Sequence, residues 1–273
     1  MPSIQLSPWL LYSYPWMPYP PRVALYLSEK RITSSAIRII HVSDPQTGNC
    51  VVPAQANGVP PRPEGSLPIL AIPPSDDSNG WVCIRQSMAI VQYVEEACAQ
   101  GGELSNTCAR ELVKGHTPLE RARITEIITL AEELLVSWNP VRIFGTKAGT
   151  IVYSEGAKEM LGWVQRTLST VDRLLVDRDL EYLKDDEQSV TVADVVLFGF
   201  LEFVDYCYGV DVTVGSGRER TGVYGRAVRE DYPRLREFYV SFKGRKSTKR
   251  HGSGETASEE VLERMRAWHD GIH

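Results

Sequence analysis

The sequence predicts an α/β domain over residues 1–99, a linker over 100–117 and an all-helical domain over 118–273. Two patterns and one break carry that division. In the first part, short apolar runs alternate with segments of helical period, the order of elements that builds a small layered α/β unit. From residue 118 onward apolar residues recur at helical spacing. Between the two, "QGGELSNTCARELVKGHTP" mixes Gly-Gly, polar residues and a proline with only a weak period, as a linker does.

In the first domain, residues 9–12 (WLLY) form a short buried strand. After a Pro-rich bend, Val23, Leu27 and Leu25 or Tyr26 mark a helix over 22–30, and 36–42 (AIRIIHV) is a second strand. Residues 43–66 are crowded with Pro, Gly, Asn and Ser and read as a long surface loop, a length that in a compact domain points to function or disorder. Residues 68–72 and 81–84 are strands joined by "PPSDDSNG", which suits an antiparallel hairpin. A helix then starts at Ser87, with Ile90, Val91, Val94 and Ala97 on one face. Strand, helix, strand, loop, strand, strand, helix is the order of a thioredoxin-like domain ending near Ala99.

The second domain is helical in pattern throughout. Residues 119–137 repeat apolar groups at Ile124, Ile127, Ile128, Ala131, Leu134 and Leu135, and residues 156–176 at Met160, Leu161, Val164, Leu168, Val171 and Leu175. Those two helices are expected to pack on each other. Residues 192–204 (VADVVLFGFLEFV) are apolar nearly all round, the mark of a central helix, and amphipathic helices follow around 232–243 and 256–270.

A net charge of -5, with 42% hydrophobic and 24% charged residues, is ordinary for a globular protein and supplies no attraction to nucleic acid or an anionic membrane. The five cysteines (Cys50, Cys83, Cys98, Cys108, Cys207) are scattered, with no C-x-x-C or Cys/His cluster at metal spacing, so a reduced compartment and no metal are expected. No stretch reaches the roughly 18 apolar residues of a membrane span, and the start "MPSIQLSPWLLYSYPW" lacks the pattern of a leader. A cytoplasmic protein is expected. Asn106 comes closest to a glycosylation sequon, but Cys108 stands where the hydroxyl residue belongs.

Three local features point to chemistry. Leu67-Pro68 opens a strand; the bond is either an ordinary trans one or cis, and the cis form leaves the Leu67 backbone outside the ladder, able to pair with an extended ligand. Gln86-Ser87 opens a helix, where Ser87, unpaired N–H groups and the dipole together hold a carboxylate, unless Ser87 only caps its own helix. Thr191-Val-Ala-Asp194 is close to a capping box and marks where the central helix begins.

In combination these features resemble those of the cytosolic glutathione transferases over nearly the whole length. The family pattern V-P-x-L … E/Q-S-x-A-I-x-x-Y-L is matched by "LPIL" and "QSMAIVQYV", and its S-x-A-D box by "TVAD". The resemblance implies a thioredoxin-like domain followed by a helical bundle, glutathione as co-substrate or catalytic cofactor, no metal, an electrophilic apolar small molecule as partner, and a two-fold homodimer. It places Leu67, before a cis Pro68, against the cysteinyl part of glutathione, and Gln86 and Ser87 at the γ-glutamyl end.

The sequence departs from the family at the residue that lowers the pKa of the glutathione thiol, which near 8.5 is mostly protonated at neutral pH. The subclass pattern S/C-P-x-x-x-R-V falls on "MPYPPRV", so Met17 stands in place of a donor and a thioether donates no hydrogen bond. Tyr12, then Tyr14 and Ser13, are the candidate donors just upstream, with strand-end packing as the other reading of both tyrosines. Arg22 either adds positive charge or is an exposed first-turn side chain. Trp16, Met17 and Tyr19, with Trp138, Arg142 and Phe144 from the second domain, are candidates for an apolar substrate pocket, Trp138 alternatively packing between domains. The basic run "KGRKSTKR" at 243–250 reads as a solvated loop. A weakened thiolate suits a strongly electrophilic conjugated substrate and reversible addition that isomerises a double bond, as in some fungal natural-product glutathione transferase-like proteins. The alternatives are a non-catalytic binding protein or an assembly module of the same fold.

Overall fold

A computed structural model describes residues 8–42, 59–74, 80–99, 102, 104–221, 225, 227–250 and 256–272. The chain divides into two compact units, Met1–Leu112 with Arg250–Thr256, and Val113–Lys249 with Ala257–His273.

The first unit is built on a four-stranded sheet of β1 (Trp9–Ser13), β2 (Ile37–His41), β3 (Ile69–Ile72) and β4 (Val82–Arg85), in the order β2-β1-β3-β4. β1 runs parallel to β2 and antiparallel to β3, and β3 pairs antiparallel with β4 with Ile69 opposite Arg85. The parallel pair needs a crossover, which α1 (Tyr19–Glu29) supplies; Pro20 and Pro21 sit in its first turn, where a missing N–H costs nothing. The strand period sends alternate side chains of β1 to opposite faces. Leu10 and Tyr12 join a cluster with Leu67, Ile69 and Ala71, while Trp9 meets Tyr93 of α2 (Ser87–Cys98) with ring centroids 5.5 Å apart. The expected hairpin of β3 and β4 is present; most of the expected loop 43–66 and the turn 75–79 lie outside the described residues.

One pairing among the cysteines was not legible in their spacing. Cys98 and Cys108 are joined in a disulfide, with Cα atoms 5.9 Å apart, while Cys83 and Cys207 are free thiols and Cys50 lies outside the described residues. The pairing depends on a reversal after α2, where Leu104 N–H bonds back to the Ala97 carbonyl at 2.8 Å, and no local spacing rule announces it.

The second unit is helical: α3 (Pro118–Gly145), α4 (Ser154–Leu174), α5 (Val192–Tyr208), α6 (Pro233–Lys243) and α7 (Glu259–Arg266). Thr117 caps α3 by accepting from Glu120 N–H at 3.1 Å. The capping box of α5 is complete, with Thr191 Oγ1 accepting from Asp194 N–H at 3.1 Å and Asp194 Oδ2 accepting from Thr191 N–H at 2.8 Å. Two expectations are corrected here. A small antiparallel pair, β5 (Glu219–Thr221) and β6 (Ala227–Arg229), interrupts the helices; strands of three residues are too short to show alternation. The basic run is not all solvated. Arg245 is 2% exposed and donates to the carbonyls of Leu183 (3.1 Å), Asp185 (2.8 Å) and Gln188 (2.9 Å), because a planar fork of donors can serve several carbonyls at once. Among the described residues no helix is long and apolar enough to cross a membrane.

Candidate functional site

The sequence features of the first unit converge at the ends of β1, β3 and β4. Leu67-Pro68 is a cis peptide bond, directly ahead of β3. The ladder ends at Ile69, paired with Tyr12 on one side and Arg85 on the other. Leu67 is buried, yet among the described residues its N–H and carbonyl have no hydrogen-bond partner. Buried backbone groups are nearly always paired, so this one invites a ligand.

Gln86 joins β4 to α2 with φ 70° and ψ 120°, a left-handed conformation that costs a non-glycine residue free energy and turns the chain sharply from sheet to helix. Gln86 thereby occupies the N-cap position, and its side chain caps nothing. Ser87 is the first helical residue, not the cap that its chemistry suggested. The hydroxyl is instead held from across the unit: Arg22 of α1 donates to Ser87 Oγ through Nε at 3.0 Å and through Nη2 at 2.5 Å. Both residues are 3% exposed, and the guanidinium also lies 4.9 Å from the Tyr19 ring centroid. Arg22 is therefore a buried part of the site rather than an exposed first-turn side chain. A hydroxyl oxygen has two lone pairs, and Arg22 engages both. What Ser87 retains is its own hydrogen, offered beside a buried positive charge and the α2 N-terminus. That combination selects a negatively charged acceptor.

The candidate thiol donors differ in what holds them. Tyr12 is fully buried and its hydroxyl donates to the Pro60 carbonyl at 2.7 Å, so that hydrogen is committed to fixing the last part of the long loop. Tyr14 is buried against Trp16, with ring centroids 5.2 Å apart. Ser13, also buried, has no hydrogen-bond partner for its hydroxyl among the described residues. Met17 is half-buried and packs with Trp16 on the apolar cluster beneath β1 and β3.

The candidates of the second unit are less alike than their sequence spacing suggested. Trp138 is 0% exposed and makes edge contacts with Phe200, Tyr208 and Trp268, which puts it in the interior of that unit rather than on a pocket wall. Arg142 is half-buried and donates to Asn139 Oδ1 at 2.9 Å; Phe144, also half-buried, packs its ring 5.9 Å from that of Tyr153. Among the described residues no group of three or more His, Cys, Asp or Glu could hold a metal ion. Sequence reasoning missed the Arg22–Ser87 pair, although the R-V of "MPYPPRV" was a usable signal for Arg22.

A family model for the glutathione S-transferase C-terminal domain matches residues 155–240, from α4 into α6. No curated protein matches the chain. Gtt2 of Saccharomyces cerevisiae superposes with a TM-score of 0.57 at 21% identity, over 88% of this chain and 98% of that one. A glutathione S-transferase of Methylobacillus flagellatus, solved with glutathione bound, gives 0.57 at 18% identity over 92% and 100% of the two chains. A Pseudomonas fluorescens glutathione transferase family member with bound glutathione gives 0.54 at 15% identity over 88% and 96%. The chain has the glutathione S-transferase fold. In that glutathione S-transferase fold, the four-stranded mixed sheet belongs to the thioredoxin-like domain and α3 to α7 to the helical one.

Proposed function

We propose that the protein binds glutathione in its first unit, through Leu67, Pro68, Gln86 and Ser87, and adds the glutathione thiolate to an electrophilic apolar small molecule. The observation that carries this reading is Ser87, whose oxygen is saturated by two Arg22 donors and whose hydrogen is left for an anionic acceptor. The Leu67 backbone, without a hydrogen-bond partner among the described residues, suits the extended peptide of the same ligand. Two solved structures of the same fold carry glutathione.

Attack requires the thiolate, stabilised by a nearby donor. Met17 has none, and the Tyr12 hydrogen is engaged by Pro60. Ser13, with its hydroxyl unengaged among the described residues, is the donor that this geometry favours over Tyr12, with Tyr14 behind it. A single neutral hydroxyl gives modest stabilisation, which favours strongly electrophilic conjugated acceptors. On these the thiolate adds to one carbon of the double bond, rotation about the resulting single bond follows, and elimination returns glutathione with the geometric isomer. Trp16, Met17 and Tyr19 of the first unit are the side chains assigned to hold such an acceptor. A cytoplasmic homodimer and a place in secondary metabolism complete the reading.

Calorimetric titration with glutathione tests it. Ser87→Ala is expected to weaken binding by about ten- to a hundredfold, the loss of a hydrogen bond to a charged group of roughly 1.5–3 kcal/mol. No binding of the folded wild-type protein at millimolar glutathione would remove the transferase and isomerase readings together.

A further inference from the structure

The far end of α2 holds chemistry that the glutathione reading leaves unused. Ser87 and Cys98 are its first and last residues, about 16 Å apart at the helical rise. Beyond Cys98 the chain reverses: Gly102 N–H bonds to the Ala99 carbonyl, and Leu104 N–H to the Ala97 carbonyl, both at 2.8 Å. Thr107 then closes the turn, its N–H and its hydroxyl both donating to the Leu104 carbonyl. This turn seats the buried Leu104 and delivers Cys108 to Cys98, with the Cα atoms 5.9 Å apart, inside the range a disulfide needs.

Two residues further on, Arg110 forms an ion pair of 3.2 Å with Glu29, the last residue of α1; the side chains are 8% and 2% exposed. Its neighbour Lys30 pairs at 2.8 Å with Glu95 of α2. The two pairs differ in what supports them. Lys30 and Glu95 both sit on or beside helices packed on the sheet, whereas Arg110 is carried by irregular chain that the Cys98–Cys108 disulfide ties to the end of α2.

We propose that the Cys98–Cys108 pair is a site of thiol–disulfide exchange with glutathione or another low-molecular-weight thiol, and that its opening releases the 104–112 segment and loosens the hold of Arg110 on Glu29. Both cysteines are partly exposed, which gives an attacking thiolate access. The closed loop is short, with a sequence separation of 10, so it constrains the unfolded chain less than a long one would. The two sulfurs are also unequal. Cys98 ends a helix, where the partial negative charge disfavours a thiolate, so Cys108 is the better leaving group. The first glutathione thiolate attacks the Cys98 sulfur, forming a mixed disulfide there and expelling Cys108 as a thiolate that takes up a proton. A second glutathione thiolate attacks the glutathione sulfur of the mixed disulfide. That step releases glutathione disulfide and Cys98. Two thiols are oxidised and one protein disulfide is reduced.

The inference does not rest on glutathione binding at Ser87. The test is to equilibrate the full chain in buffers of varied reduced-to-oxidised glutathione ratio, trap thiols by alkylation, map them by mass, and follow amide hydrogen exchange. The oxidised protein is expected to show Cys98 and Cys108 joined, and the early intermediate to carry glutathione on Cys98 with Cys108 alkylated. On opening, exchange in 104–112 should rise at least tenfold while β1 and β3 keep their protection. A Cys98→Ser/Cys108→Ser variant should match the reduced wild type. A pair that is unlinked in the oxidised protein, that resists millimolar glutathione, or that opens with no change in 104–112 overturns the proposal. Exchange without calorimetric binding removes only the transferase reading; binding without exchange removes only this one.

Discussion

Ser87 shows how one side chain's role is decided by a partner 65 residues away. Its type, place and neighbour Gln86 predict a helix-start donor; only the fold shows that Arg22 fills both lone pairs of the oxygen and so orients the hydrogen. Arg22→Met keeps the length and removes the donors. That variant is expected to lower unfolding stability by about 1.5–3 kcal/mol and to weaken glutathione binding along with it. Combined with Ser87→Ala in a double-mutant cycle, the two losses should fall short of additive by about 1 kcal/mol or more. Additive losses would mean that the pair does not act as a unit. Leu67 was only partly legible. A proline at a strand start is a local signal, but it left cis and trans both open, and only the fold shows the cis bond with Leu67 ahead of β3.

Elements are fixed by a mixture of local and distant bonds, and α5 displays both. Its capping box was readable four residues at a time, but Asp194 also accepts from Tyr182 OH at 2.8 Å and pairs with Arg178 at 2.7 Å, and neither partner belongs to the box. Asp194→Ala strips all of them of a partner at a fully buried site. A loss of about 3–5 kcal/mol is expected, read by urea denaturation, against roughly 1 kcal/mol if only the cap mattered. The join of α5 to α6 is charged and half-open. At Asp205, burial acts to raise the carboxyl pKa, and the Lys243 ammonium and Tyr239 hydroxyl outweigh it, so the group is held below the usual carboxylate value. A depressed folded-state pKa stabilises the protein above the unfolded value near 4 and the contribution fades as pH falls through the folded value. The wild type should therefore lose unfolding stability on acidification below about pH 4 more steeply than Asp205→Asn. Equal slopes in thermal melts across pH 6 to 3 would show that the cluster contributes nothing.

At the scale of the molecule, a ligand that binds only the folded first unit stabilises the protein by mass action. At a hundred times its dissociation constant, glutathione should add about 2.7 kcal/mol to the unfolding free energy, with new amide protection at Leu67, Gln86 and Ser87. An unchanged melt at that concentration would contradict specific binding. The sequence by itself determined the fold class, the order of strands and helices in the first unit, the start of α5 and the polar pair at the start of α2. Each of these follows from periodicity, proline placement or capping chemistry within a few residues. Tertiary structure alone decided that Arg22 is buried on Ser87, that Tyr12 gives its hydrogen to Pro60, that Trp138 is interior, and that Cys98 meets Cys108. Those outcomes depend on chain reversals and on contacts between residues far apart in sequence, whose geometry a pattern of neighbours does not contain.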